Sequence, residues 1–150
     1  MCKQNRSALK KKDIVTGTLI VLLTALFILN FRFVRVDGTS MEPSLMDGRW
    51  LLTTTHTSNL QKNDIIVFQH EDKQYIKRIV AVEGDTVALR DGKLFINQIA
   101  YNSYACTGED TSYTLSADEI FVLGDNASNS IDSRSFGPVK LDQVLFKRIY

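Results

Sequence analysis

The sequence predicts a mainly β protein, in which a single N-terminal transmembrane helix is followed by an antiparallel β domain. Three observations support this fold class. An uncharged apolar segment lies near the N-terminus, short apolar runs of strand length follow it, and no sustained helical periodicity occurs after Phe31. At 150 residues the chain is long enough for one domain with a short appendage. We therefore expect a small β domain attached to a membrane.

Residues 14–31 form the apolar segment, which contains 18 residues and no charged side chain. At about 1.5 Å per residue, such a helix is about 27 Å long, close to the hydrocarbon thickness of a bilayer. A buried core helix in so small a protein would rarely be apolar on all sides. A cleaved signal peptide would be followed by small residues, whereas the bulky, basic run FRFVR follows here at residues 31–35. We therefore expect an uncleaved transmembrane anchor.

The charges beside the anchor predict its orientation. Basic flanks stay on the cytoplasmic side of a membrane. We therefore expect residues 1–13 to be a cytoplasmic N-terminus and residues 32–150 to lie outside the cell membrane. The net charge of +1 gives no electrostatic basis for a nucleic-acid partner. The first twelve positions contain no acidic residue and five basic ones: Lys3, Arg6, Lys10, Lys11 and Lys12.

The part of the chain after the anchor is predicted to be mostly strand. An Asp-Gly pair at residues 91–92 separates two short runs and is a strong hairpin signal. The polar stretch 102–114 is expected to be an exposed loop or an irregular hairpin. The predicted strands cover residues 50–55, 64–68, 75–82, 86–90, 93–97, 119–123 and 144–149.

One predicted strand contains a lysine among apolar neighbours. Alternation places Tyr75, Lys77 and Ile79 on one face of this strand. Both faces are otherwise largely apolar, so burial is expected, and a buried lysine is unusual. Two interpretations stay open. Lys77 either extends its amine to the sheet edge, or it is desolvated, with a pKa low enough for the neutral amine to take a proton from a serine.

Two polar segments could work together with this lysine. Gly38 begins a turn that carries Ser40, the candidate nucleophile, although serines are also common in ordinary turns. Residues 124–138 are dense in small polar side chains, which is typical of a surface loop. Within this loop, Asp132 and Arg134 could pair and brace the backbone. A loop braced in this way can hold a hydroxyl group in a fixed position.

Other chemistries have less support in the sequence. Cys2 and Cys106 lie on opposite sides of the anchor and are expected to be unpaired thiols. His56 and His70 lie outside the polar segments, so a histidine-based triad is not predicted. The sequence shows no Cys/His cluster with metal spacing and no Gly-rich phosphate loop. We therefore expect no metal and no organic cofactor.

Several motifs together resemble those of the bacterial type I signal peptidases, the Ser/Lys endopeptidases of peptidase family S26. SMEP at residues 40–43 is similar to the nucleophile motif, and YIKRIV at 75–80, followed by GD at 84–85, is similar to the general-base motif. The run GDNASNSIDSRSFG at 124–137 is similar to the third signature, and NDIIVF at 63–68 to the strand between the first two. Each motif alone is weak evidence, whereas their order after one anchor is specific.

The resemblance implies roles for individual residues. Ser40 would attack the scissile carbonyl, and its backbone N–H would hold the oxyanion. Lys77 would be the general base, and Ser130 would hydrogen-bond the Lys77 amine and orient it. Two further residues would be structural supports, Asp132 and Arg134.

The resemblance covers residues 10–150 and implies an antiparallel β catalytic domain of the signal peptidase type. Gly38 departs from the pattern of some relatives, which carry there a serine whose hydroxyl is a second oxyanion donor. The second donor is therefore unassigned in this chain. The stretch 84–118 is too short for the large second domain of some relatives, which indicates a compact form like those of Gram-positive bacteria.

The implied function is that of a membrane-bound serine endopeptidase. It would remove N-terminal signal peptides from exported preproteins after small-x-small sites, such as Ala-x-Ala. Its expected partners are signal-peptide-bearing preproteins and the lipid bilayer, with the secretion translocon as a further candidate. Pockets for the small side chains are expected near Val36, Leu45 and Ile66.

Three alternatives accompany this interpretation. A signal-peptidase paralogue could be dedicated to pilus or surface-protein assembly and act as a chaperone, although the presence of both Ser40 and Lys77 argues against a lost activity. A self-cleaving SOS-type repressor would need a DNA-binding domain in place of the anchor. A merely structural anchored domain predicts that Ser40→Ala has no effect.

Overall fold

The computed structural model describes residues 3–106 and 109–149, so Cys2 lies outside the described residues. A long helix, α1 (Lys3–Asn30), leads into the β domain, and a single helical turn, α2 (Ser133–Phe136), and a short 3-10 helix (Leu141–Gln143) lie near its end. The strands are β1 (Phe31–Arg35), β2 (Trp50–Thr54), β3 (Ile65–His70), β4 (Lys73–Ala81), β5 (Thr86–Arg90), β6 (Lys93–Ile96), β7 (Ile99–Ala105), β8 (Thr111–Thr114), β9 (Glu119–Leu123), β10 (Val139–Lys140) and β11 (Val144–Arg148).

Helix α1 is the candidate for crossing the membrane. Over Lys12–Asn30 it has a mean hydropathy of 2.0 and none of this stretch is buried, so by length and composition it can span a bilayer. The helix ends at Asn30, whose carbonyl accepts a hydrogen bond from the Thr55 N–H at 2.9 Å. Phe31 already pairs with Thr54 in the β1–β2 ladder. Phe31, the last residue of the predicted anchor (14–31), therefore lies in β1, which follows the helix without a linker.

The domain contains two antiparallel sheets, which confirms the mainly β prediction. The larger sheet has seven strands in the order β1-β2-β11-β3-β4-β9-β10, and the smaller has four in the order β7-β6-β5-β8. The predicted hairpin connects β5 and β6. Asp91 (φ 51°) and Gly92 (φ 70°) both adopt left-handed backbone conformations there, as a two-residue type I′ turn requires.

Three clusters of buried apolar side chains hold these elements together. One joins the smaller sheet to β9 and includes Val87, Leu94 and Phe121. A second lies on the larger sheet around Phe68. The third lies beneath the segment between β1 and β2, where burial contributes about 1.5–3 kcal/mol for each fully buried side chain of this size. This third cluster consists of Val36, Met41, Leu45, Leu51 and Ile65.

The polar stretch 102–114, expected to be an exposed loop or an irregular hairpin, includes part of β7 and all of β8. These strands are the two outer members of the smaller sheet. Tyr101, Tyr104 and Tyr113 pack against its core, whereas most other residues of the two strands are exposed. A sheet that buries only one face needs few apolar side chains in its outer strands. For this reason the composition resembles that of a loop.

Candidate active site

The turn that carries Ser40 directly follows β1 and Val36. Gly38 has a φ of +88°, a left-handed conformation that favours glycine, and its N–H donates to Asp47 Oδ1 at 2.8 Å. On the other side of Ser40, the side chains of Met41 and Leu45 are 1% and 0% exposed. The turn is thus fixed by a hydrogen bond before the serine and by core packing after it.

Lys77 reaches the same point from β4. The residue is only 3% exposed, and its Nζ donates to Ser40 Oγ at 2.8 Å and to the Ile76 carbonyl at 3.0 Å. The amine therefore does not extend to solvent, and the structure supports the buried interpretation of this lysine. Because β4 is an interior strand of the larger sheet, its neighbours β3 and β9 fix the direction of the side chain.

Burial changes the protonation of Lys77. Desolvation lowers the pKa of Lys77 from 10.5 to about 8, against the opposing attraction of Asp132 and Asp125. At pH 7 about one lysine in ten is then neutral, compared with fewer than about one in a thousand for an ordinary lysine. A neutral amine in contact with a serine hydroxyl is the pairing that activates a serine for attack.

Asp132 and Arg134 form the brace of the loop between β9 and α2. Asp132 is 0% exposed and accepts hydrogen bonds from the Gly124 N–H at 3.0 Å and from Arg134 Nε at 2.9 Å. Arg134 also donates to the carbonyls of Ala105 at 2.9 Å and Ala127 at 2.8 Å. The two side chains thereby join both ends of the loop to each other and to the end of β7.

Ser130 lines the same cleft as Ser40 and Lys77, but the hydrogen bond expected between Ser130 and the lysine amine is not formed. Ser130 Oγ is buried and has no hydrogen-bond partner among the described residues. The hydroxyl lies against Gly124, since a Cβ built on that glycine would be 2.1 Å from Ser130 Oγ. The Lys77 amine donates instead to the Ile76 carbonyl.

Two contacts that were not predicted join this loop to Ser40 and to the strand that carries Lys77. Arg78, the neighbour of Lys77, pairs with Asp125 through Nε–Oδ1 at 2.8 Å and Nη2–Oδ2 at 2.6 Å. The Asn126 N–H donates to the Ser40 carbonyl at 3.0 Å. An arginine next to a buried lysine in the sequence indicates that an acidic partner lies nearby. Asn126, within a run of turn-forming residues, has no such distinguishing signal.

A cleft of about 820 Å³ opens beside Ser40 and Lys77. Of the three residues expected near its pockets, only Val36 lines it; Leu45 and Ile66 are 0% exposed and belong to the core. Their apolar character is explained by core packing. Next to Ser40 and Lys77 the cleft has an apolar wall, along which an extended peptide could lie. That wall includes Val34, Val36, Val67 and Ile76.

The histidines and Cys106 take no part in this arrangement. The His70 ring stacks on Phe136 with centroids 4.4 Å apart, and His56 shares a hydrogen bond with Ser58. Burial raises the pKa of the Cys106 thiol, which makes it a poorer nucleophile. Within the described residues, no group of three or more His, Cys, Asp or Glu side chains is placed to hold a metal ion.

Comparison with known proteins assigns the class that this fold and site suggest. The family model described as signal peptidase, peptidase S26, matches residues 10–148. The chain belongs to this family and is a serine endopeptidase. Within the family it is a type I signal peptidase, which removes signal peptides, and its substrates are signal-peptide-bearing preproteins.

Individual relatives cover most of the chain. A signal peptidase I from Bacillus amyloliquefaciens is 32% identical over 142 residues, which make up 82% of this chain and 77% of the relative. Signal peptidase I P from Bacillus subtilis subsp. natto is 34% identical over 137 residues, 77% of this chain and 74% of the relative. A crystal structure of a signal peptidase I from Enterococcus faecalis V583 shares 30% identity, with a TM-score of 0.44 over 58% of this chain and 94% of that chain.

Proposed function

We propose that Ser40 and Lys77 are the catalytic dyad with which this signal peptidase cleaves preproteins, and that Ser40 is the nucleophile. The observation that supports this most directly is the 2.8 Å contact between Lys77 Nζ and Ser40 Oγ at the wall of the cleft. The lowered pKa of Lys77 adds to it, because a general base must be neutral at the working pH.

The reaction follows from these two groups. Neutral Lys77 takes the hydroxyl proton as Ser40 Oγ attacks the scissile carbonyl carbon, and the Ser40 N–H donates to the resulting oxyanion. When the tetrahedral species collapses, the Lys77 ammonium gives its proton to the leaving amine, and the mature protein departs. Lys77 then removes a proton from water, which attacks the acyl-enzyme carbonyl. When this second tetrahedral species collapses, the Lys77 ammonium returns the proton to Ser40 Oγ, and the signal peptide leaves as a carboxylic acid that ionises in water.

Supporting roles remain with three residues of the braced loop. Asp132 and Arg134 hold the loop backbone through their buried ion pair. Ser130 would orient the Lys77 amine during the reaction. Its buried hydroxyl is available for this role, because Ser130 lines the same cleft and the hydroxyl has no hydrogen-bond partner among the described residues. Ser130→Ala should therefore lower kcat without unfolding the protein.

The cleft favours cleavage after small-x-small sites. The apolar part of its wall comes from Val34, Val36, Val67 and Ile76, and we expect the space beside these side chains to accept alanine-sized residues of an extended peptide. A preprotein series with Ala, Leu or Trp at the first and third positions before the cut tests this. Alanine should be cleaved fastest, and equal cleavage of all three would contradict the assignment.

The anchor would place this cleft at the outer surface of the cell membrane. Residues 1–13 would be cytoplasmic, residues 14–31 would form the membrane anchor and residues 32–150 would be the extracytoplasmic catalytic domain. The basic N-terminal flank supports this orientation. Because preproteins are also held in the membrane, tethering raises the effective concentration of the cleavage site. The bilayer, and the secretion translocon that delivers preproteins, would be the remaining partners.

The decisive experiment compares full-length wild type with Ser40→Ala and Lys77→Met in detergent micelles, with a preprotein as substrate. Each substitution should lower cleavage by about 10⁴-fold or more while the fold is retained, since loss of one dyad member removes the function of both. Full activity of either variant would contradict the dyad. A non-proteolytic role in pilus or surface-protein assembly would instead leave that assembly intact in cells that carry Ser40→Ala.

A further inference from the structure

The peptide group that joins Thr39 to Ser40 is held from the neighbouring loop. Asn126 Nδ2 donates to the Thr39 carbonyl at 3.1 Å, and the Asn126 N–H donates to the Ser40 carbonyl at 3.0 Å. Asn129 Nδ2 donates to Thr39 Oγ1 at 2.5 Å. The loop between β9 and α2 thus binds the turn that carries Ser40 through the Thr39 and Ser40 carbonyls and the Thr39 side chain.

Fixing the Thr39 carbonyl also fixes the direction of the Ser40 N–H. These two groups belong to the same peptide unit, which is planar and trans, so they point in opposite directions. The Ser40 N–H makes no hydrogen bond to another of the described residues, and Ser40 lines the cleft. The Thr39 carbonyl accepts from Asn126 Nδ2 and, within the turn, from the Glu42 N–H at 3.1 Å. Hydrogen bonds to the carbonyl end of the unit therefore set the direction in which the N–H end can donate.

Asn126 is itself held in place. The Ser128 hydroxyl donates to Asn126 Oδ1 at 3.3 Å, which leaves Nδ2 as the group that faces Thr39. The preceding residue, Asp125, is paired with Arg78. The Asn129 N–H donates to the Asn126 carbonyl at 3.1 Å. The amide group therefore presents its donor to the Thr39 carbonyl from a braced backbone.

We propose that Asn126 is a positioning residue for the oxyanion hole, which aims the Ser40 N–H by holding the opposite end of its peptide unit, and that Asn129 assists by fixing the Thr39 side chain. This inference rests on the proposed role of Ser40. Asn126 touches neither the substrate nor the reacting atoms. Its hydrogen bond also polarises the peptide unit, which makes the N–H a stronger donor.

Substitution of Asn126 should destabilise the transition state and not the enzyme–substrate complex. A misdirected oxyanion donor weakens binding of the tetrahedral transition state but leaves binding of the planar substrate unchanged. Substitution of Asn126 should therefore lower kcat with little change in KM. In Asn126→Ala, which adds no charge, the pH at which activity is half-maximal should stay where it is in the wild type, because Asn126 does not contact Lys77.

The test uses full-length protein in detergent with Asn126→Ala, Asn126→Asp and Asn129→Ala. The matched control is Asn102→Ala, at an exposed position of β7, where the asparagine side chain makes no hydrogen bond to another of the described residues. Removal of one oxyanion donor costs about 10²–10³-fold in kcat. Since the donor is here misaimed and not removed, we expect about a 10–100-fold loss for the Asn126 variants and a smaller loss for Asn129→Ala.

A pair of inhibitors separates positioning from a merely structural effect. A substrate-like peptide aldehyde forms a tetrahedral adduct with a serine, whereas the corresponding peptide alcohol does not. The Asn126 variants should lose aldehyde affinity by the same factor as kcat and keep the alcohol affinity of the wild type. If Asn126→Ala does not fold, the same pattern in Asn129→Ala, whose side chain is exposed, decides the question.

Three results would overturn the inference. They are wild-type kcat in the folded variants, equal loss of aldehyde and alcohol affinity, and a displaced pH profile in Asn126→Ala. Ser40→Ala, measured in parallel, keeps the two proposals apart. If Ser40→Ala is active, the dyad itself fails. If it is inactive while the asparagine variants behave like the wild type, only the positioning role fails.

Discussion

Arg78 and Asp125 form a two-point ion pair, with Nε–Oδ1 at 2.8 Å and Nη2–Oδ2 at 2.6 Å. Arg78 follows the proposed base on β4, and Asp125 lies in the loop that holds the turn carrying Ser40. The pair therefore connects the two halves of the site, so that the strand carrying Lys77 and the turn carrying Ser40 keep a fixed separation. The Asp125 carboxylate also raises the pKa of Lys77, against the larger effect of desolvation.

The pH dependence of cleavage should follow the Lys77 amine. Desolvation lowers the pKa of Lys77 to about 8, so the neutral, basic form increases as the pH rises through that value. Initial cleavage rates of a preprotein should therefore increase between pH 7 and 9 and be half-maximal near pH 8. A flat profile between about pH 6 and 9 would argue against a lysine base.

Asp125→Asn should move this profile to lower pH. Without the carboxylate, the Lys77 ammonium loses one of the two charges that stabilise it, so its pKa falls further. The maximal rate should also decline, because the link between β4 and the loop is weakened. Both effects can be read from kcat measured at half-unit intervals of pH.

Asp118→Asn is the matched control for this change. Asp118 pairs with Lys140 at 3.7 Å, both side chains are more than half exposed, and neither lines the cleft. The control should keep the wild-type profile, since exposed ion pairs contribute little. If Asp125→Asn also kept it, Asp125 would have no electrostatic influence on the base.

Lys77→Met should stabilise the fold at neutral pH although it abolishes cleavage. The pKa of Lys77 is about 8 in the folded protein, compared with 10.5 for an ordinary lysine. Between these values the unfolded chain binds more protons, so stability rises with pH there, and below about pH 8 the burial costs the wild type about 3 kcal/mol. Urea unfolding of both proteins should show a gap in the free energy of unfolding that narrows from pH 8 to 10. A gap independent of pH would contradict the lowered pKa.

The sequence predicts the strands of this fold better than it predicts the contacts of the site. Apolar runs of strand length and the Asp91–Gly92 turn are local signals, and the structure contains those strands. Lys77 stands out because a lysine on an apolar strand is exceptional. The Asn126–Thr39 hydrogen bond joins residues 87 positions apart, and nothing in either local sequence indicates the pairing. The orientation of the Ser130 hydroxyl likewise depends on how closely Gly124 approaches it.

Asp132→Ala should unfold the loop that carries Asn126 and Ser130. Asp132 is 0% exposed, accepts from the Gly124 N–H, and pairs with Arg134, so its loss leaves a partly buried guanidinium without its main partner. Breaking a buried ion pair costs about 3–5 kcal/mol. Urea denaturation should show this loss, and limited proteolysis should cut within residues 124–137. The exposed control Asp118→Asn should keep the urea midpoint of the wild type. If Asp132→Ala also kept the wild-type urea midpoint, a bracing role for Asp132 would be excluded.

Gly124→Ala should inactivate the protein through a single methyl group. A Cβ at this position would lie 2.6 Å from the Ser40 carbonyl oxygen and 2.1 Å from Ser130 Oγ, closer than atoms can approach. The Ser130 hydroxyl can rotate away, whereas the Ser130 Cβ, also 2.6 Å from the added Cβ, and the Ser40 carbonyl can move only with their backbones. Since displacement of a reacting group by about 1 Å can cost about 10²-fold in rate, kcat should fall by at least that factor. Gly17→Ala in helix α1, where a Cβ meets nothing within 4 Å, should cleave preproteins at the wild-type rate. Wild-type activity of Gly124→Ala would show that the turn and the loop can separate without effect on the reaction.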